Sequence, residues 1–187
     1  MNIGVLAVQG AFIEHKHIME KLGANCTLIR QKKDLENIDG IILPGGESTV
    51  QGKLLKQLDM FNIIKDKIAN GLPVLATCAG LILLAENIEN DDRKHLATLP
   101  VTVKRNAYGR QLGSFETRDS FGDIKDFPLV FIRAPYITNV SSEVKVLSTV
   151  DSNIVGVEYK NQIGLAFHPE MTDDYRIHQY FLDKISQ

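Results

Sequence analysis

A cysteine, a histidine and a glutamate occur where the sequence favours turns at strand ends, and together these residue types can carry out acyl transfer. Cys78 lies in "LPVLATCAGLILLAEN", where an apolar strand leads into an apolar helix. His168 and Glu170 lie in "AFHPEM", where Pro169 prevents an apolar strand from continuing. A thiolate is a nucleophile, a histidine can move its proton, and a nearby carboxylate can hold the second ring nitrogen. We predict that Cys78, His168 and Glu170 form a catalytic group.

Each of these motifs also has a structural interpretation. A free cysteine is most often a small buried apolar residue, and "TCAG" by itself does not decide between the two. "HPE" by itself also fits a solvated loop. Their occurrence together with the glycine loop "LPGGEST" favours catalysis. Cys26 lies alone within a predicted strand and not at a turn, so we expect it to pack in the core.

The elements around these motifs alternate between strands and helices through the first half of the chain. Two helices are predicted, at Ile13–Leu22 and Ser48–Asn70, each followed by a glycine. The apolar segments before and between them predict buried parallel strands at Asn2–Val8, Asn25–Arg30, Asp39–Pro44 and Pro73–Thr77. Ligands of such sheets bind at the carboxyl ends of the strands, so "VQGAF", "LPGGEST" and "TCAG" should open on one crevice.

The pattern changes from Leu96 onward, where strands are separated by turn residues. Asn161 and Gln162 are predicted to turn one strand back on the next, and "DDYRIHQYFLDKIS" predicts a final helix capped by Asp173 or Asp174. The sequence thus predicts a single α/β domain over residues 1–187. We expect three α/β/α layers around a mostly parallel sheet that is partly antiparallel in the second half.

Composition excludes several classes of function. The 187 residues are 44% hydrophobic and carry a net charge of −2, so no basic field favours nucleic acid. No basic leader and no run of about 20 apolar residues is present, and we expect a soluble cytoplasmic protein without membrane contact. The two cysteines lack the spacing of a zinc site, so no metal is expected.

Six segments together resemble a known family. The nucleophile turn, the glycine loop and the late His-x-Glu resemble class I, triad-type glutamine amidotransferases. A closer likeness is to the glutaminase subunits of pyridoxal 5′-phosphate synthases, of which "LPGGEST" and "RNAYGRQ" are the more specific motifs. Ala76 departs from the wider family, which usually has glycine there, and we expect a slightly more crowded turn. The resemblance is carried by "AVQG", "LPGGEST", "TCAGLILLA", "RNAYGRQ", "FIRAP" and "AFHPE".

The resemblance implies a role for each site residue. Cys78 attacks the side-chain amide of L-glutamine, His168 transfers protons, and Glu170 orients His168. Backbone N–H groups of Gly46 and Ala79 form the oxyanion hole. The residues that bind glutamine are then Gly46, Glu47, Ser48, Arg105, Ile132 and Arg133, although Arg105 and Arg133 can also be plain surface charges.

The resemblance also implies a partner. No ATP-binding loop and no acceptor domain fit in the sequence, so a barrel-type synthase subunit would use the ammonia to make the vitamin B6 cofactor. No cofactor is expected on this chain. Three alternatives stay open: a glutaminase of another synthase, such as the imidazole glycerol phosphate one; a cysteine hydrolase or redox-sensing thiol protein; and a catalytically silent binding subunit.

Overall fold

The computed structural model describes residues 1–108 and 113–187, in which the strands form a large mixed sheet and a separate hairpin. The strands are β1 (Asn2–Leu6), β2 (Asn25–Ile29), β3 (Gly40–Leu43), β4 (Val74–Thr77), β5 (Ala85–Ile88), β6 (Leu99–Lys104), β7 (Ser114–Phe121), β8 (Ile124–Ile132), β9 (Tyr136–Val140), β10 (Lys145–Val150), β11 (Asn153–Tyr159) and β12 (Gln162–Leu165). The helices are α1 (Phe12–Lys21), α2 (Ser48–Gln57), α3 (Phe61–Ala69), α4 (Ala79–Leu84) and α5 (Arg176–Ile185). None of the helices in the described ranges is long and apolar enough to cross a lipid bilayer.

The large sheet has the order β2-β1-β3-β4-β12-β11-β9-β6-β5, with β10 paired to β11. Its first five strands are all parallel, whereas β11 is antiparallel to its neighbours β12, β9 and β10. Strands β3, β4 and β12 are buried along their whole length, as expected for strands covered on both faces. The α/β class with a mostly parallel sheet and a later antiparallel part is therefore confirmed.

The helix predicted over Ser48–Asn70 is instead two helices, α2 and α3. Asp59 has φ +53°, and this left-handed residue ends α2. Met60, fully buried, then begins a new turn and caps α3. The apolar periodicity continues across the break, so the sequence pattern alone did not reveal the change of direction.

Three further boundaries differ from the sequence prediction. Helix α4 ends at Leu84, because Ala85 is extended and begins β5, which pairs with β6. The turn before β12 is formed by Lys160 and Asn161, and Gln162 is already the first residue of the strand. Helix α5 begins at Arg176 with Tyr175 at its N-cap, and this N-cap makes no side-chain hydrogen bond.

The predicted cap of the last helix is only partly in place. Asp174 lies one residue before the N-cap, where its carboxylate accepts the Arg176 backbone N–H at 3.2 Å. It also forms a salt bridge with the Arg176 side chain. Asp174 thus satisfies one free N–H of the first turn without occupying the cap position itself.

Candidate active site

The carboxyl ends of four adjacent parallel strands, β1, β3, β4 and β12, bring the predicted motifs together. Strand β12 pairs with β4 so that Leu165 lies beside Thr77. Cys78 follows Thr77 directly, and His168 comes three residues after Leu165. Although far apart in the chain, the cysteine and the histidine therefore leave neighbouring strands at the same edge.

Cys78 occupies a strained turn between β4 and α4. Its backbone has φ +48° and ψ −100°, a conformation that is rare for a residue with a side chain. Its N–H donates to the Leu165 carbonyl at 2.8 Å, which ties the turn to β12. Two residues later, a Cβ on Gly80 would lie 2.0 Å from the Leu43 carbonyl oxygen, so only glycine lets α4 pack this closely on β3.

His168 is positioned by the β7–β8 hairpin. Its backbone N–H donates to the Val130 carbonyl at 2.8 Å. The preceding Phe167 packs against Phe127 and Phe131 of β8, with ring centroids 6.4 and 5.9 Å apart. Nδ1 of His168 lies 2.7 Å from Oε1 of Glu170, and Nε2 has no hydrogen-bond partner among the described residues. The ring is thereby turned with its free nitrogen toward the thiol.

Charge is distributed unequally over this group. Burial opposes a charge on His168, but the hydrogen bonds and attraction of Cys78 and Glu170 outweigh it and raise the pKa of His168 to about 10. Burial likewise opposes a charge on Glu170, yet attraction by His15 and the hydrogen bond and charge of His168 lower the pKa of that carboxyl group. A protonated imidazole beside an anionic carboxylate is therefore the favoured state.

The glycine loop between β3 and α2 is held by several polar contacts. The Gly45 N–H donates to Oγ of Thr77 at 3.0 Å, and the Gly45 carbonyl accepts the Ala11 N–H at 3.0 Å. The peptide bond between Gly45 and Gly46 is trans, so its N–H points in the opposite direction from its carbonyl. The Gly46 N–H therefore points away from Ala11. The Glu47 N–H donates to Oε1 of Gln9 at 2.8 Å. These contacts fix both peptide planes that flank Gly46.

Two glycines of this loop closely approach other side chains. A Cβ on Gly45 would lie 2.3 Å from Cε1 of His168, and a Cβ on Gly46 would lie 2.3 Å from Oε1 of Gln9. The loop therefore lies directly against the imidazole ring.

A cavity of about 500 Å³ opens between these loops. Cys78 and His168 line it, whereas the Glu170 carboxylate lies behind His168 and outside it. All six residues expected to bind glutamine line the same cavity: Gly46, Glu47, Ser48, Arg105, Ile132 and Arg133. Ala79 is not among the lining residues, but it is the first residue of α4, where a backbone N–H has no partner within the helix.

Two of the predicted binding residues pair with each other at the cavity wall. Arg105 Nη2 lies 3.2 Å from Oε1 of Glu47, and Arg105 Nη1 lies 3.7 Å from Oδ2 of Asp91. The Glu47 carboxylate also accepts the N–H groups of Thr49 and Val50, which caps α2. Burial opposes the Glu47 charge, but these hydrogen bonds and Arg105 lower the pKa of Glu47. The Arg105 side chain is thus positioned by two carboxylates and is not a freely solvated surface charge.

The other residues singled out in the sequence lie near the cavity or within the sheet. Ile132 is exposed, and its carbonyl oxygen lies 4.0 Å from the Cys78 sulfur. Arg133 is exposed, with φ +46°. Ala76 is fully buried in β4. In "RNAYGRQ", the residues Gly109, Arg110 and Gln111 lie outside the described residues.

Cys26 lies away from the cavity, in β2. It is half-buried, and burial raises the pKa of its thiol to about 11, which keeps it protonated at neutral pH. The expectation that Cys26 packs in the core is met only in part, because β2 is an edge strand and Cys26 packs against the core while partly exposed.

Four polar residues at this site were not identified from the sequence: Gln9, His15, Thr77 and His178. The histidines carried a signal, since each lies among apolar residues on the inner face of an amphipathic helix. That signal alone is typical of a buried histidine with structural partners.

A strained cysteine facing a carboxylate-supported imidazole, in a cavity with free backbone N–H groups, can form and hydrolyse an acyl thioester. The fold is of the α/β class, and a site of this kind is typical of thiol-dependent acyl-transfer enzymes.

Comparison with known proteins specifies the class further. The model of the SNO glutamine amidotransferase family matches residues 5–187, and the chain belongs to this family. A protein of Desulfitobacterium hafniense (strain DSM 10664 / DCB-2), called pyridoxal 5′-phosphate synthase subunit PdxT, is 63% identical over 187 residues, covering 100% of this chain and 94% of the relative. The protein of the same name from Bifidobacterium longum is 52% identical over 186 residues, covering 96% and 98%. The resemblance predicted from the sequence motifs is confirmed.

Solved structures agree with this family. A crystal structure described as a glutamine amidotransferase has a TM-score of 0.94 and 38% identity, covering 99% of both chains. A glutamine amidotransferase from Thermotoga maritima has a TM-score of 0.62 at 17% identity, covering 100% of this chain and 85% of its own, and shares the fold. The expectation that the chain is a glutamine amidotransferase is confirmed at the level of the family.

Proposed function

We propose that this chain is the glutaminase subunit of a pyridoxal 5′-phosphate synthase and hydrolyses L-glutamine to L-glutamate and ammonia. The observation that carries the proposal is the meeting of Cys78, His168 and Glu170 at the ends of β4 and β12, in a chain 63% identical to a PdxT protein. We further propose that residues 1–187 act as one glutaminase domain, without a cofactor or metal of their own.

The first half of the reaction forms a thioester. With the proton on His168, the Cys78 sulfur attacks the side-chain amide carbon of glutamine as a thiolate. The tetrahedral intermediate collapses, the carbon–nitrogen bond breaks, and His168 Nε2 gives its proton to the leaving nitrogen, which departs as ammonia. The high pKa of His168 favours this starting state, because the ring already holds the proton that the leaving group needs.

The second half releases glutamate. Water enters in place of ammonia, His168 takes one of its protons, and the resulting hydroxide attacks the thioester carbon. The carbon–sulfur bond then breaks and Cys78 regains its thiolate. Glu170 holds Nδ1 of His168 throughout, so that Nε2 stays aimed at the reacting atoms.

The oxyanion formed in both halves needs donors that are fixed before reaction. The Gly46 N–H and the Ala79 N–H are the proposed pair. The hydrogen bond between the Gly45 carbonyl and the Ala11 N–H supports this role for Gly46, because it directs the oxygen of that peptide toward Ala11. A rotation of the peptide would break this bond and replace the N–H donor with a carbonyl acceptor.

The other end of glutamine carries a carboxylate and an ammonium group. Arg105 and Glu47 supply one charge of each sign at the cavity wall, with Ser48 and Arg133 beside them. We propose that Arg105 exchanges part of its contact with Glu47 for the substrate carboxylate, and that Ile132 contributes main-chain contacts.

A barrel-type synthase subunit is the proposed acceptor of the ammonia, in a cytoplasmic complex. Exposed apolar side chains support a covering partner: Ile132 and Met171 line the cavity and are 38% and 42% exposed, and Ile13 on α1 is 40% exposed. The names of the relatives favour this synthase over the imidazole glycerol phosphate synthase.

The test is glutamate release by the purified chain, alone and with the barrel-type synthase subunit of the same organism. We expect weak activity alone and an increase of about 10²-fold or more in the complex, because removing one oxyanion donor typically costs this much. The partner would act by stabilising the Ala11–Gly45 hydrogen bond, which keeps the Gly46 N–H in the donor orientation. Full activity of the isolated chain would refute the activation. No glutamate release in either state, with peroxide reacting at Cys78, would instead favour the redox-thiol alternative.

A further inference from the structure

The second carboxylate oxygen of Glu170 faces a group outside the catalytic triad. Oε1 accepts a hydrogen bond from His168. Oε2 lies 3.4 Å from Nε2 of His15 and has no hydrogen-bond partner among the described residues. Both side chains are fully buried. An anionic oxygen in such a place is costly unless a donor faces it, and the His15 ring is the group in position to donate.

The contacts of His178 determine which nitrogen of His15 carries the proton. Nδ1 of His15 lies 2.9 Å from Nε2 of His178, and Nδ1 of His178 has no partner among the described residues. If His15 donated from Nδ1, it would turn a bare Nε2 toward the carboxylate and leave an N–H of His178 buried without an acceptor. If His178 donates from Nε2, the His15 N–H is directed at Thr77 Oγ with the Glu170 carboxylate beside it, and neither ring leaves a buried N–H without an acceptor. The second arrangement avoids both penalties.

The same nitrogen of His15 also reaches the oxyanion loop. Nε2 of His15 lies 3.3 Å from Oγ of Thr77, which accepts the Gly45 N–H at 3.0 Å. Thr77 is also the residue before Cys78. One N–H of His15 thus lies between the carboxylate that orients His168 and the hydroxyl that holds the glycine loop.

We propose that His15 is a positioning residue for the glutaminase reaction. Protonated at Nε2 and fixed in that tautomer by His178, it holds Glu170 and, through Thr77, the Gly45–Gly46 loop in one geometry. The inference rests on the proposed function and deepens it, because it connects the base side of the site with the oxyanion side. His15 touches no reacting atom, so it acts through Glu170 and Thr77.

The kinetic test compares three variants of the full chain in complex with its synthase subunit. His15→Phe keeps a ring without a donor, His15→Gln places an amide N–H at a similar reach, and His17→Gln changes an exposed histidine of the same helix as the control. The concentration of competent sites is counted by covalent labelling of Cys78 with an electrophilic glutamine analogue. Per labelled site, we expect His15→Phe to lower kcat about 10- to 100-fold with little change in KM, and His15→Gln to recover most of the loss.

Other outcomes are distinguishable. Wild-type kcat per labelled site in His15→Phe, or equal losses in the Phe and Gln variants, would show a purely structural histidine and overturn the inference. Absence of glutaminase activity in the wild-type complex would count against the proposed function itself.

Nitrogen NMR of the unmodified chain tests the geometry even if the Phe variant does not fold or the wild type is inactive. We expect a protonated Nε2 and a bare Nδ1 on both His15 and His178. The opposite tautomer on His15 would overturn the inference.

Discussion

At the scale of single residues, the two cysteines differ in what surrounds each sulfur. Cys78 lies in the cavity beside a protonated His168, whereas Cys26 is half-buried in β2 with its pKa raised to about 11. We predict that Cys78→Ala lowers glutamine hydrolysis by on the order of 10³-fold or more, because no other thiol can form the thioester. Cys26→Ala is the matched control and should leave the rate nearly intact. Equal losses, or labelling of Cys26 alone by a diazo-ketone analogue of glutamine, would contradict the assignment.

The histidine and the glutamate should not be equally important. His168 carries the transferred proton, so His168→Asn should cost nearly as much as loss of the thiol. Glu170 acts by holding Nδ1 at 2.7 Å, and Glu170→Gln keeps an oxygen that can still accept that N–H. Its loss in kcat should therefore be the smallest of the three, as measured with the complex at saturating glutamine. A larger loss in Glu170→Gln than in His168→Asn would assign the carboxylate a direct chemical role.

At the scale of elements, the packing of α4 on β3 sets the position of the nucleophile. A methyl group on Gly80 would lie 2.0 Å from the Leu43 carbonyl oxygen. This oxygen belongs to the backbone of β3, so it cannot move away without displacing the strand or α4. Gly80→Ala should therefore lower the free energy of unfolding by about 1–3 kcal/mol and reduce glutamine hydrolysis, since the Cys78 turn must shift.

Urea unfolding and the glutaminase assay on the same preparations measure both effects. Gly113→Ala is the control, because a Cβ there meets no atom within 4 Å and no left-handed φ is required. Wild-type stability and activity in Gly80→Ala would mean that the turn tolerates displacement of α4.

At the scale of the whole molecule, the histidines that join α1 to α5 should control stability in mild acid. Burial lowers the pKa of His15, against a smaller opposing attraction by Glu170, and burial lowers the pKa of His178 further. Below about pH 6.5 the unfolded chain therefore binds protons that the folded chain does not, and stability falls as the pH falls. His168 has a raised pKa, so its contribution is complete below pH 6.5 and declines as the pH rises from there toward about 10. Between pH 7.0 and 5.5 it therefore offsets part of the loss caused by the two buried histidines.

Urea unfolding at pH 7.0 and 5.5 tests this sign. We expect a loss of up to about 1 kcal/mol for each of the two buried histidines over this interval. His178→Phe should reduce the pH dependence, whereas His17→Gln, on the exposed face of α1, should not change it. A pH dependence that is the same in His178→Phe as in the wild type would show that the histidine pair does not cause it.

The sequence by itself determined the chemistry and its local settings: a cysteine between an apolar strand and an apolar helix, a histidine between an apolar strand and Pro169, and a glycine loop. These features depend on residue type and on neighbours close in the chain, which is why they could be predicted. The tertiary structure alone decided that β12 pairs with β4 and that His15 and His178, 163 residues apart, share a hydrogen bond. It also decided where α2 ends. Pairing between distant segments is set by packing of the whole core, and no local periodicity encodes which buried surfaces meet.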